Sequence, residues 1–285
     1  MSEMEKLKKG IDLAISSEKN VSFRTSSIAY SKSGKSYLGG SVSSGTHLLD
    51  IVSEQVSLSL ATQRNDFNIE EVVTLIQSDL NISPITSKIL IDFEARVGKT
   101  IKYRVVNLKG EIIWQTDSLE SMLPLYKPTE NKISKINQSI PSDNFVESDG
   151  SDEQLVKCAI DGMSRNFPSS DNSSGYGSAF LTDKGNVYFG GQYSSTDKRL
   201  NLHAETATML NVLFSEKNEK PVKISVVSEK YKTNPCFPCG ACLQLISELF
   251  SPDLQIISVS SQSMEYVVNK LSNLLPNRWS NDNLV

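Results

Sequence analysis

His203 sits in the stretch Asn201-Leu-His-Ala-Glu-Thr206, and further on Pro235-Cys-Phe-Pro-Cys-Gly-Ala-Cys-Leu-Gln244 carries three of the chain's four cysteines. An imidazole and two thiolates are the soft nitrogen and sulfur donors that suit zinc. A structural zinc site takes four protein ligands, whereas a catalytic one takes three and keeps a position for water. His203, Cys239 and Cys242 make three. Glu205 is too near His203 along the chain for an easy additional ligand, but it can face that water and pass its proton to a substrate. Two plainer readings stand beside this one. Cys236-x-x-Cys239-x-x-Cys242 is regular, so Cys236 could close a structural site, which leaves Glu205 without a role. Alternatively His203 merely starts a helix. Cys158, among apolar neighbours, reads as an ordinary buried thiol.

Positioning those groups is the task of the surrounding elements. Pro238 precedes the cysteine pair and Gly240 lies within it, so the pair is placed to open a helix over Leu243 to Phe250, whose free N–H groups and dipole favour thiolates. His203 stands at the start of an amphipathic helix containing Ala207, Leu210 and Leu213. Two helix N-termini side by side would bring the three ligands to one metal. Before them, Val187-Tyr-Phe-Gly-Gly-Gln-Tyr-Ser-Ser195 reads as part of a hairpin, and Ile224-Ser-Val-Val227 as a buried strand between the helices.

The same order occurs earlier in the chain. Ser36-Tyr-Leu-Gly-Gly-Ser-Val-Ser-Ser44 repeats the hairpin at a constant offset, which also sets Gly34 on Gly185 and Val52-Ser53-Glu54 on His203-Ala204-Glu205. Val72-Val-Thr-Leu-Ile76 follows as the buried strand, Ser83-Pro-Ile-Thr-Ser-Lys-Ile-Leu90 falls on Phe237 to Gln244, and Met122-Leu-Pro124 parallels Leu274-Leu-Pro276. The chain is two copies of one unit of about 120 to 130 residues. Each reads helix, hairpin, helix, strand, helix, strand, helix, which implies an α/β fold with a mixed sheet covered by helices. We expect a first domain over 1–126, an exposed linker over 127–153, rich in Ser, Asn, Asp, Pro and Lys, and a second domain over 154–285. In the first copy Val52 takes the histidine position, and this alignment puts Ile85 and Lys88 on the cysteines, so no metal can be held there. Glu54 then reads as a carboxylate favoured by a helix dipole, and His47 as an exposed loop residue.

Composition narrows the partners. With 285 residues, 38% apolar and 22% charged, the chain is of ordinary globular make-up. No apolar run approaches a membrane span or a signal peptide, which predicts a cytoplasmic protein without membrane contact. A net charge of −4, without basic-aromatic segments, disfavours nucleic acid; the linker lysines Lys127, Lys132 and Lys135 are a thin basis for a groove.

Taken together, His-x-Glu followed by Pro-Cys-x-x-Cys is the signature of zinc-dependent nucleobase deaminases. Residues 155 to 276 resemble cytidine deaminases, in the hairpin and first catalytic helix up to Glu205 and in Pro238-Cys-Gly-Ala-Cys-Leu-Gln244. The resemblance implies two tandem cytidine-deaminase-like α/β/α domains, the first degenerate and without zinc, the second holding one Zn2+ on His203, Cys239 and Cys242 with Glu205 as proton shuttle. It implies deamination of cytidine or deoxycytidine to the uridine product with release of ammonia, and a role in pyrimidine salvage. Its tandem members dimerise, which implies a homodimer imitating a four-subunit assembly, although there the catalytic half comes first and here it comes second.

For substrate contacts the resemblance gives the Ala204 main-chain N–H to the pyrimidine O2, and places Gln192 and Ser194 where the family's Asn and Glu bind ribose. Ser194 has lost that carboxylate, and Ser174 lies near the place of a family Phe. Trp279 follows Leu275-Pro276 where the family often sets an aromatic that reaches an active site. Blasticidin deaminases also lack the ribose Glu, so a modified cytosine nucleoside is the runner-up substrate. A nucleoside-binding or scaffold protein without turnover is the reading from another class.

Overall fold

The computed structural model describes residues 1–16, 24–77, 82–128, 143–167, 175–215 and 217–279. Contacts divide the chain into two units, Met1–Asn137 with Ser195–Leu200, and Gln138–Ser194 with Asn201–Val285.

In the first unit Ser2 caps α1 (Glu3–Leu13), its hydroxyl taking the Glu5 N–H while the Glu5 carboxylate takes the Ser2 N–H. The short β1 (Ile15–Ser16) pairs with β4 (Val42–Ser43), and between them β2 (Thr25–Ser31) and β3 (Ser36–Gly40) form the expected hairpin around Gly34, whose φ of 81° suits glycine. Then follow α2 (Ser53–Gln63), β5 (Ile69–Ile76), α3 (Pro84–Val97), β6 (Lys102–Val106) and β7 (Ile112–Thr116). The sheet runs β3-β2-β5-β6-β7, with β5 and β6 parallel because α3 crosses between them.

Strand alternation gives this sheet two apolar faces. Leu7 and Ile11 of α1 pack against Ile28, Val73, Leu75 and Val106 on one. The opposite face is covered by α2, which comes so close that a side chain on Gly39 would strike Val56 and the Ser57 main chain.

The second unit repeats this plan. It comprises β8 (Phe145–Glu147), α4 (Asp152–Met163), β9 (Tyr176–Thr182), β10 (Asn186–Gly191), α5 (Ala204–Leu213), β11 (Pro221–Ser228), α6 (Gly240–Leu249), β12 (Gln255–Val259), β13 (Tyr266–Lys270) and the single turn α7 (Leu271–Leu274). Its sheet runs β13-β12-β11-β9-β10-β8, again with one parallel pair, β11 and β12, joined through α6. Leu155, Val156 and Ala159 of α4 meet Ala179, Val187, Phe189, Val227 and Ile257. The mixed α/β class is as expected.

Two details differ from the sequence reading. Each last parallel strand is followed by a further antiparallel strand, β7 or β13, short and half exposed, which periodicity did not reveal. Residues 143–153, read as linker, also carry structure: β8 pairs with β10, Asn144 is buried and its carbonyl takes the Phe189 N–H, and Ser151 caps α4. Polar composition hid them, because an edge strand and a cap need few apolar residues. Most of the remaining linker, and Ser174, lie outside the described residues. No described helix is long and apolar enough to cross a membrane.

Candidate metal centre

His203 immediately precedes α5 and Cys239 immediately precedes α6, both in extended backbone (φ −61°, ψ 162° and φ −74°, ψ 163°). Neither side chain caps its own helix, so both are left to face each other. His203 Nδ1 lies 3.4 Å from Cys239 Sγ and 3.5 Å from Cys242 Sγ, and one donor atom from each residue falls within 4.8 Å of the others. Ligand atoms around a tetrahedral zinc stand about 3.5 to 3.8 Å apart, so the donor set and its spacing fit such an ion. Cys242 is buried whereas His203 and Cys239 are exposed, which leaves the cluster open on one side. Cys236, although buried, lies outside this group.

The thiols are electronically unequal. Hydrogen bonds from the Cys242 thiol and from His203 bring the Cys239 thiol down to about 3 against the cost of burial, and the Cys242 N–H adds to them. Cys242 moves the opposite way, through its bond to Cys239 and through burial. The two thiols thus differ in how readily each gives up its proton, Cys239 the more readily. His203 is raised, chiefly by its bond to Cys239. Glu205, 3% exposed in the first turn of α5, is raised by burial. A buried carboxyl whose proton is held more tightly than usual suits general acid and base work. Cys236 is pushed up to about 12 by burial and by the Glu205 charge, so it stays a thiol. Cys158, likewise buried, is pushed up to about 11.

The other expected positions gather with different success. Ala204 is fully buried as the first residue of α5, where helix geometry leaves N–H groups without an intrahelical acceptor. Gln192 Nε2 donates to the buried Ser194 Oγ at 3.0 Å. Paired N–H···O bonds between Tyr193 and Leu202, both 2.9 Å, tie the Gln192–Ser194 segment to the residue before His203. Trp279 is held by its main chain, which exchanges bonds with Gln244 of α6 at 3.0 and 3.3 Å, and its side chain is at the edge of exposure. Sequence reasoning missed Thr206, whose hydroxyl lies 3.7 Å from Cys242 Sγ.

The first unit carries the same frame with other side chains. Paired bonds between Val42 and Ile51 reproduce those between Tyr193 and Leu202, and Val52 precedes α2 with φ −72° and ψ 149°, as His203 precedes α5. Ser83 immediately precedes α3. Aligned by helix starts, Ser83 matches Cys239 and Thr86 matches Cys242, which corrects the assignment of Ile85 and Lys88. The slip arises from matching the two prolines: Pro84 is the first residue of its helix, whereas Pro238 lies outside α6. His47 is an exposed loop residue, as expected.

No family model matches this chain, and no curated protein matches it. Among solved structures it is similar to the cytidine deaminase from Burkholderia pseudomallei, at 26% identity and TM-score 0.41 over 45% of this chain and 99% of that one. It is also similar to a mutant of the Mycobacterium tuberculosis cytidine deaminase, at 23% identity and TM-score 0.39 over 46% and 96%. A third is the Mycobacterium leprae cytidine deaminase, at 24% identity and TM-score 0.36 over 44% and 97%.

Proposed function

We propose that the second unit, residues 154–285, is a hydrolytic deaminase of cytosine nucleosides, cytidine or deoxycytidine, and that the first unit, residues 1–126, is its degenerate copy. The observation that carries this is the His203–Cys239–Cys242 triangle beside the buried Glu205 carboxyl. His203, Cys239 and Cys242 would hold one zinc per chain, and the bound ion would supply a Lewis acid that makes water a nucleophile at neutral pH.

Glu205 would accept both protons of that water in turn, the first on its way to ring N3 and the second, from the oxygen by then bonded to C4, on its way to the departing amine. As the bond from oxygen to C4 forms and the bond from C4 to nitrogen breaks, water and cytosine become uracil and ammonia. The Ala204 N–H donates to the pyrimidine O2, Gln192 and Ser194 meet the sugar, and Trp279 borders the pocket. Free thiols, with no disulfide among the four cysteines, suit a reducing cytoplasm. A homodimer completes the reading.

Ammonia release by the zinc-loaded chain from cytidine, deoxycytidine, cytosine, blasticidin S and a cytosine-containing oligonucleotide tests it, with Glu205→Ala as control. Nucleoside turnover that the control abolishes supports the proposal; full zinc occupancy without turnover of any of these compounds sinks it. A modified nucleoside is a second reading, favoured by the Gln192–Ser194 bond, which offers an amide and a hydroxyl to a sugar but no carboxylate. It predicts a higher kcat/KM for blasticidin S than for cytidine.

A further inference from the structure

Glu54 of α2 is 3% exposed and holds the place in the first unit that Glu205 holds in the second. Its Oε1 accepts the Tyr103 hydroxyl at 2.7 Å and the Thr74 hydroxyl at 2.9 Å, while its Oε2 is approached by the hydroxyls of Thr86 and Ser53, each at 3.4 Å. The network continues behind them, Thr74 to Ser27 at 2.8 Å and Ser27 to Ser53 at 2.7 Å. These hydroxyls come from β2, β5, β6, α2 and α3, so one network centred on the carboxylate joins both helices to three strands of the sheet.

In the second unit these hydroxyls are gone. Thr74 pairs with Ser27 on β2, as Val226 pairs with Ser178 on β9; Tyr103 lies opposite Val72, as Ile256 lies opposite Ile224. Ser53 corresponds to Ala204, and Thr86 to Cys242. The second unit thus has Val, Ile, Ala and Cys where the first has Thr, Tyr, Ser and Thr. Ser178 records the exchange. Its counterpart Ser27 bonds to Ser53 and Thr74, whereas the Ser178 hydroxyl, fully buried and in register with Val226, has no partner among the described residues.

We infer that the first unit is a metal-centre frame in which a hydrogen-bonded hydroxyl cage around Glu54 has taken over the tie between helices and sheet that a metal supplies in the second. The cage stands on the first unit's own bonds. The comparison with a metal tie rests on the reading of His203, Cys239 and Cys242 as a metal centre. A buried carboxylate is stable only when its lone pairs are met, and this one is met by hydroxyls from both helices and the sheet. Val52 keeps before α2 the extended backbone that His203 has before α5, and Ser83 stands immediately before α3 as Cys239 stands before α6.

The test uses the full chain and Co2+ alone as probe, read by thiolate-to-cobalt absorption. The native chain should take one equivalent, lost in Cys239→Ser. A chain carrying Val52→His, Ser83→Cys and Thr86→Cys should take two. A triple variant with native amide protection in α2 and α3 that still takes one overturns the shared frame. The cage is tested separately by hydrogen exchange in Tyr103→Phe and Thr74→Val, each of which leaves Glu54 one donor short. Exchange in α2 and α3 should quicken about tenfold in each, with native cobalt uptake. Unchanged exchange in both overturns the cage. Absent cobalt uptake by the native chain would instead defeat the metal reading of the second unit and with it the comparison, while the exchange arm still decides the cage.

Discussion

Glu205 and Glu54 show how far one residue type is specified by its neighbours. Glu205→Gln removes a group able to move protons while keeping its shape and one carbonyl acceptor. We expect kcat for nucleoside deamination to fall by about 10²- to 10⁴-fold with cobalt uptake unchanged. A joint loss of turnover and uptake would mean that the carboxyl holds the site together. Elsewhere, burial would raise the Asp66 carboxyl, but hydrogen bonds from Ser31, Tyr37, Ser33 and the Asn68 N–H outweigh it and leave it below the usual range. A carboxylate lowered in the folded state stabilises above its unfolded value of about 3.9, and that contribution disappears as pH falls through the folded value. Asp66→Asn should therefore lower the melting temperature at pH 6 and shrink its decline toward pH 2. An unchanged melting curve would show that the bonds carry no net stability. The gathering of His203, Cys239 and Cys242 was legible because donor residues of these types at such spacing are few. Thr206 was not legible, since a threonine in a helix carries no such restriction, and neither were Tyr103 and Thr74, whose partner is remote in sequence.

At the scale of elements, helix starts proved better markers of equivalence than residue similarity. Ser83 and Cys239 share no chemistry yet hold the same place before their helices, and only backbone register shows it. The hairpins were legible because Gly34 and Gly185 mark the turns; β7 and β13 were not, because a strand exposed on both sides has no alternation to read. Close packing of α4 on its sheet depends on Gly177, where a side chain would run into the Ala159 carbonyl and Met163. Gly177→Ala should destabilise the second unit by about 1 to 3 kcal/mol. Denaturant melts would show it, and a midpoint unchanged from the native chain would mean that α4 can shift at no cost.

For the whole molecule, the proposed ties at the centres of the two units are of different kinds. If the second is tied by a metal and the first by hydroxyls, chelation should lower the melting of the second unit alone. Hydrogen exchange after EDTA would then rise in α5 and α6 and stay level in α2 and α3; an equal rise in both units would contradict this.

The last strands have a practical consequence. Ile112 and Ile113 on β7, and Val267 and Val268 on β13, are exposed apolar side chains on the outer strands of their sheets, where unpaired backbone groups can recruit other chains. Lysine at positions 113 and 268 should improve solubility and delay precipitation on storage, giving a better-behaved sample on which every other measurement depends.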